Sequence, residues 1–233
     1  MTGLFATLEI YRLAVTRAAA LALRNWAVLA SAFVYGFISS ATGWFAPALG
    51  LLGGFVVVLV QSACIASFLY LVEMMVRTSR VTLADFQRSF GVYLWDVIGV
   101  RFVLWLFFGF AGPLLVTLPE GGLVLKFVTL LFVVFFNAVP ELIYLGHHST
   151  VALLSESYRF IVDNWLEWFP PNLLMLGILL LLVEVPTGSA AMVVQVLAIP
   201  LFVYFAMVLR GLLFLELSGT SRRGRIFRYR MGR

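Results

Sequence analysis

Apolar residues run along this chain in long unbroken blocks. Six stand out: Trp26–Trp44, Leu51–Met74, Val92–Leu118, Leu123–Leu145, Asn172–Ser189 and Met192–Leu213. About 20 consecutive apolar residues allow a helix to cross the hydrocarbon core of a bilayer. Lipid offers backbone amides no partner, so a spanning segment must be a helix or part of a closed barrel. Barrel strands alternate in polarity over segments of about 10 residues, and "LVLKFVTLLFVVFF" does not alternate. The pattern therefore predicts six transmembrane helices.

Between blocks the period changes. On a helix over 151–169, Glu156, Arg159, Asp163 and Glu167 fall on one stripe, with Leu154, Tyr158, Ile161, Val162, Trp165, Trp168 and Phe169 opposite. That is the spacing of an amphipathic helix, which lies in the membrane interface with its apolar face among acyl chains. Pro171 suits the first turn of a new helix. The segment thus reads as an elbow, with Pro170 and Pro171 ending the flat helix and opening the spanning one. "TLAD" at Thr82–Asp85 fits a capping box ahead of a second such stretch. Glu9, Arg12 and Thr16 mark a weaker first one. The plainer alternative is that these stretches are juxtamembrane ends of long helices.

Trp26, Trp95 and Trp165 lie 69 and 70 residues apart, in "LRNWAVL", "YLWDVIG" and "VDNWLEW". Each sits just before or at the start of an odd-numbered span, and each even-numbered span ends near a carboxylate: Glu73, Glu141 and Glu216. The predicted fold class is an all-α polytopic membrane protein, six spans arranged as three hairpins, each preceded by an amphipathic cytoplasmic interfacial helix. The domain reading is one membrane domain over 1–217, with pseudo-repeats at about 4–77, 78–147 and 148–217, and a basic cytoplasmic tail over 218–233.

Charge orients this arrangement. Arginines gather before the first span, between the second and third, between the fourth and fifth, and after the sixth. The positive-inside rule then puts both termini in the cytoplasm, with the inner membrane as the location. Composition agrees: 63% of the 233 residues are apolar and 12% charged, against about 25% charged in soluble domains. The mean hydropathy is +1.05. The single cysteine, Cys64, allows no intrachain disulfide.

The stretch carrying Ala152, Leu153, Ser157, Asn164 and Trp165, just ahead of the fifth span, resembles the "A-L-x-x-S … N-W" segment of a group of poorly characterised bacterial six-helix membrane families. These include families related to the membrane portion of some glycerophosphodiester phosphodiesterases. The serine is displaced from the expected position. The resemblance covers the hairpin architecture along most of the chain and implies a fold but no catalytic residues. The chemistry of that group belongs to a separate soluble domain that has no counterpart here.

Enzyme motifs are absent: no HExxH, GxSxG, P-loop or CxxC occurs. His147 and His148 are adjacent, and neighbours on a helix point in different directions, so they make a poor metal site. No cofactor is implied. Charges inside spans are costly and draw attention. Arg101 follows Asp96 by five residues, and Arg210 precedes Glu216 by six; snorkelling or local ion pairing accounts for both. Glu184 falls near the outer interface. Gln61, Asn137 and Gln195 suit interhelical hydrogen bonds. Gly109, Gly112 and Pro113 mark the one suspected helix break.

Small residues at four-residue spacing let helices approach closely. Ala32, Gly36 and Ser40 on the first span, with Gly50 and Gly54 at the start of the second, predict tight packing of that pair. The third and fourth spans are crowded with rings. Phe107, Phe108, Phe132 and Phe135, with Trp165 and Trp168, are the candidate interface residues for another membrane protein or a second copy, since aromatics are enriched at interfaces. The tail holds six arginines and no acid. Arg222, Arg223, Arg225, Arg228 and Arg230 are expected at anionic lipid headgroups, where each basic residue contributes about 1 kcal/mol. A tail held this close to the membrane is not expected to bind nucleic acid. The expected function is a non-enzymatic membrane subunit or scaffold. The alternative is a small permease or the membrane component of a transporter.

Overall fold

The computed structural model describes residues 2–146, 150–184 and 189–220, with single residues at 224, 225, 227 and 231. Helix α1 covers Thr2–Arg24, α2 Trp26–Phe45 and α3 Leu51–Thr78, with a 3-10 turn, Ala46–Leu49, between α2 and α3. Then follow α4 (Leu83–Val92), α5 (Leu94–Val116), α6 (Gly121–Phe135), α7 (Val139–Leu145), α8 (Thr150–Val183) and α9 (Ser189–Ser218). Six stretches are long and apolar enough to cross a membrane: Trp26–Leu49, Leu52–Thr78, Leu83–Val116, Gly121–Leu145, Ala152–Val183 and Gln195–Ser218. The chain has the architecture of an all-helical integral membrane protein, with no strand among the described residues.

Local chemistry explains where the helices start and stop. Thr82 caps α4: its Oγ1 accepts from the Asp85 amide, and the Asp85 carboxylate accepts from the Thr82 amide, satisfying two donors that a helix start leaves unpaired. The turn after α2 needs Gly53, because a Cβ there would sit 2.0 Å from the Ala46 carbonyl oxygen. Gly121 does the same work after α5, where a Cβ would fall 1.9 Å from the Leu115 oxygen.

The backbone bends one or two residues before each of the three spaced tryptophans. Asn25 (φ −111°, ψ 41°), Tyr93 (φ −111°, ψ 10°) and Asn164 (φ −126°, ψ 15°) all leave the helical region. At two of them the asparagine Nδ2 donates to the carbonyl four residues back: Asn25 to Leu21 at 2.9 Å, Asn164 to Phe160 at 3.1 Å. The kink in this segment is thus at Asn164 and not at the proline pair. Pro170 and Pro171 lie inside a continuing helix. Pro171 has no N–H for the Glu167 carbonyl, and the Tyr11 hydroxyl of α1 donates to that oxygen at 2.7 Å. A tertiary donor replaces the missing helical bond, which is how a proline is tolerated inside a helix.

Helices α3 and α9 form the centre. The first touches α2, α4, α5, α7 and α9; the second also touches α1, α2, α7 and α8. The fully buried side chains, among them Leu71, Val72, Met75, Tyr144, Ile161, Trp168, Tyr204 and Leu213, cluster toward the arginine-bearing ends of the helices. The opposite ends carry exposed apolar side chains such as Trp44, Phe55, Phe110 and Leu181.

Candidate functional site

The break between α6 and α7 organises the largest polar cluster. Pro140 stands in the first turn of α7, where its missing N–H and fixed φ end the preceding helix. The interruption leaves the Asn137 carbonyl open, and Arg210 of α9 fills it: Nη2 donates to that oxygen at 2.6 Å. The same guanidinium grips Glu141 with two bonds, Nε to Oε1 at 2.7 Å and Nη2 to Oε2 at 2.8 Å. Nη1 donates to Asn172 Oδ1 at 2.9 Å. Trp168 lies 5.2 Å beneath the guanidinium, and its Nε1 donates to Asn137 Oδ1 at 2.9 Å. One arginine therefore ties the α6–α7 break, α7, α8 and α9 together, gripping Glu141 in a fork-to-fork arrangement that a lysine cannot copy.

Smaller locks surround it. Glu73 of α3 receives Arg77 Nε at 2.9 Å and the Tyr93 hydroxyl at 2.5 Å, and Arg77 Nη2 reaches the Leu145 carbonyl at 3.1 Å. A hydroxyl chain links Tyr35, Ser67 and Ser89 at 2.6 and 2.5 Å. The Tyr204 hydroxyl donates to the carbonyls of Ala22 and Asn25 at 3.0 and 2.9 Å, and the Val81 amide donates to Asn25 Oδ1 at 3.0 Å. Outside the spanning segments, Tyr11 has its hydroxyl pushed up to about 12 by burial and by the nearby Glu167 charge.

On the other face of α7 lies an apolar cavity of about 530 Å³, walled by α2, α3, α5, α7 and α9. Gly36, Ile65, Phe68, Val100, Ile143 and Val203 line it, and Arg101 is its charged side chain. Arg101 donates to Gln61 Oε1 at 3.0 Å and to Ser62 Oγ at 3.4 Å. Both acceptors are neutral, and among the described residues no carboxylate pairs with it.

Several sequence expectations change here. Trp168 is fully buried, whereas Trp165 is 56% exposed; their packing separates two tryptophans that the amphipathic pattern put on one lipid face. Ile161, expected among acyl chains, is 2% exposed. Phe107, Phe108 and Phe132 pack on one another with centroids 4.5 to 5.3 Å apart, and Phe135 packs on Tyr158 at 5.0 Å. The outward rings of this region are Phe102, Trp105, Phe110 and Phe127. Gly36 and Ser40 are exposed, and α2 buries Val28, Ser31 and Tyr35 instead, drawn inward by the Tyr35–Ser67 bond. Ala32 and Gly36 line the cavity. Gly50 makes the turn with φ +57°, and a Cβ on Gly54 would meet nothing within 4 Å, so the close approach belongs to Gly53.

Arg225 does not reach for headgroups. It is 5% exposed and folds back onto the Asn164 bend. It donates to the Leu217 carbonyl at 3.2 Å, to the Thr220 carbonyl and to Asn164 Oδ1 at 3.4 Å, with Glu167 3.8 Å away. Arg222, Arg223, Arg228 and Arg230, like His147 and His148, lie outside the described residues. Arg210 pairs with Glu141, 69 positions away, and not with the nearby Glu216 on which local spacing focused. Helix α5 runs unbroken through Gly109, Gly112 and Pro113; the break is at 136–138. Gln61, Asn137 and Gln195 each bond to another helix. Comparison of the chain with protein-family models, with curated proteins and with solved structures gives no match.

Proposed function

We propose that this chain is a non-enzymatic integral membrane subunit or scaffold that works through helix–helix contacts within the bilayer. In this reading both termini face the cytoplasm of a bacterial inner membrane, because arginines concentrate in the connections on that side. Three pseudo-repeats each set an interfacial helix ahead of a transmembrane hairpin, with Asn25, Tyr93 and Asn164 as the bends. The observation that carries the reading is the use of polar groups. Among the described residues every buried side-chain nitrogen or oxygen has a partner, and the ion pairs Arg210–Glu141 and Arg77–Glu73 join parts of the chain itself. Groups so engaged hold helices in place and are not poised for a reaction. The outward stripe of Phe102, Trp105 and Phe110 on α5, with Phe127 on α6, supplies surface for contact.

A permease is the second reading, favoured by the interrupted span at 136–138 with Arg210 beside it, since transporters place broken helices at their sites. Reconstitution separates the two. A scaffold gives no solute flux in liposomes and cross-links in the membrane as an assembly. Changing Phe102, Trp105, Phe110 and Phe127 to leucine preserves insertion and dissolves that assembly. A wild-type monomer with measurable flux overturns the scaffold reading.

A further inference from the structure

We infer that the cavity beside α7 is a binding site for one anionic phospholipid, with an acyl chain among the apolar walls and the phosphate on Arg101. This rests on the membrane location of the chain and not on its role as a scaffold. Four observations meet here. The cavity, about 530 Å³, falls within the range of about 300–1,000 Å³ typical of ligand pockets. Its walls are almost wholly apolar, from Ile65 and Phe68 on α3 to Ile143 on α7 and Val203 on α9. It opens laterally, since Gly36 and Ile65 are both lining and exposed. It also holds an arginine that no described carboxylate neutralises.

Charge complementarity selects the occupant. Arginine stays protonated, and a charge inside a span is costly unless something meets it. Its five N–H donors meet two neutral acceptors, Gln61 and Ser62, on one side. Nη1 and Nη2 each spend one N–H there, and Nε–H with a remaining N–H of the guanidinium matches two oxygens of a phosphate. Depth fits as well. Arg101 stands two turns into α5 from Leu94, about 10 Å along the axis at 1.5 Å per residue, so a headgroup meets it by settling slightly inward from the interface.

Gly36 allows a clean test. A Cβ there would meet nothing within 4 Å, so Gly36→Phe fills the cavity without striking the backbone. Gly54→Phe, at an equally open glycine that does not line the cavity, is the control. The measurement is native mass spectrometry of the detergent-purified protein titrated with dioleoylphosphatidylglycerol or dioleoylphosphatidylcholine, with thermal melts confirming that each variant is folded. Wild type and Gly54→Phe should take up one saturable phosphatidylglycerol, about tenfold more tightly than phosphatidylcholine, because the choline cation offsets the phosphate charge that Arg101 meets. Arg101→Gln should bind both lipids at the phosphatidylcholine level, and Gly36→Phe should lose the saturable adduct of either. If Gly36→Phe does not fold, Gly36→Leu serves as a smaller filler. Equal uptake of both lipids by wild type, an undiminished phosphatidylglycerol preference in Arg101→Gln, or wild-type uptake by the filled variant would each overturn the assignment.

Discussion

Arg210 and Arg101 are both arginines inside spans, and their surroundings differ completely. Arg210 has acceptors on every side: two carboxylate oxygens of Glu141, the Asn172 amide oxygen and the open Asn137 carbonyl, with Trp168 against its face. Arg101 has two neutral acceptors on one side and an apolar cavity on the other. The difference shows what sets the role of a charge in a membrane. Where the protein closes its own ring of acceptors the arginine is a clamp between helices. Where the ring is left half open the arginine faces whatever occupies the cavity.

The sharpest way to break the contrast is to remove one half of the closed pair. Glu141→Leu leaves the Arg210 charge buried without its counter-ion, and losing one partner of a buried pair costs about 3–5 kcal/mol. Unfolding by denaturing detergent should show that loss, and adding Arg210→Met should recover a large part of it. A next effect, of about 1–3 kcal/mol, comes from forcing side chains into tight turns. Gly53→Val should show it and the adjacent Gly54→Val should not, because only the former meets a backbone oxygen. Equal losses would mean that the turn after α2 is not as close as described.

Tyr11→Phe removes the donor to the Glu167 carbonyl and should cost about 1 kcal/mol. It also has a pH signature. The folded pKa is raised from 10.0 to about 12, so the protonated hydroxyl stabilises the fold fully below pH 10.0 and loses that effect as pH rises through about 12. Wild type should therefore weaken over that window more than the phenylalanine variant. Parallel curves would show that the hydroxyl does not carry the contact. The smallest effect is expected for Arg101→Gln without anionic lipid, about 0.5 kcal/mol, since Gln61 and Ser62 are uncharged acceptors, the contacts are only partly buried and the Ser62 one is long at 3.4 Å.

Much of the frame was legible in the sequence because length and hydropathy alone decide which segments can span a membrane. The capping box at Thr82 was legible because its two bonds lie within four residues. The repeat spacing of Trp26, Trp95 and Trp165 pointed to the right place, one or two residues after each bend. The proline pair misled because its effect on a helix depends on a donor, Tyr11, that lies 156 residues from Glu167. The Arg210–Glu141 pair was hidden for the same reason: its partners are 69 residues apart, and a nearer glutamate drew the eye. The small-residue stripe on α2 named the right pair of helices, since α2 packs along α3, but residue size does not choose which face turns inward; the Tyr35 hydroxyl does.

The most direct test of the contrast is a paired melt. Wild type, Arg210→Gln and Arg101→Gln are each unfolded thermally in phosphatidylcholine nanodiscs and in nanodiscs containing phosphatidylglycerol. Arg210→Gln should melt well below wild type in both lipids. Arg101→Gln should melt within about 2 °C of wild type in phosphatidylcholine and lack the added stability that phosphatidylglycerol confers on wild type. If phosphatidylglycerol stabilises Arg101→Gln as much as wild type, or if Arg210→Gln melts with wild type, the division into a closed and an open arginine is wrong.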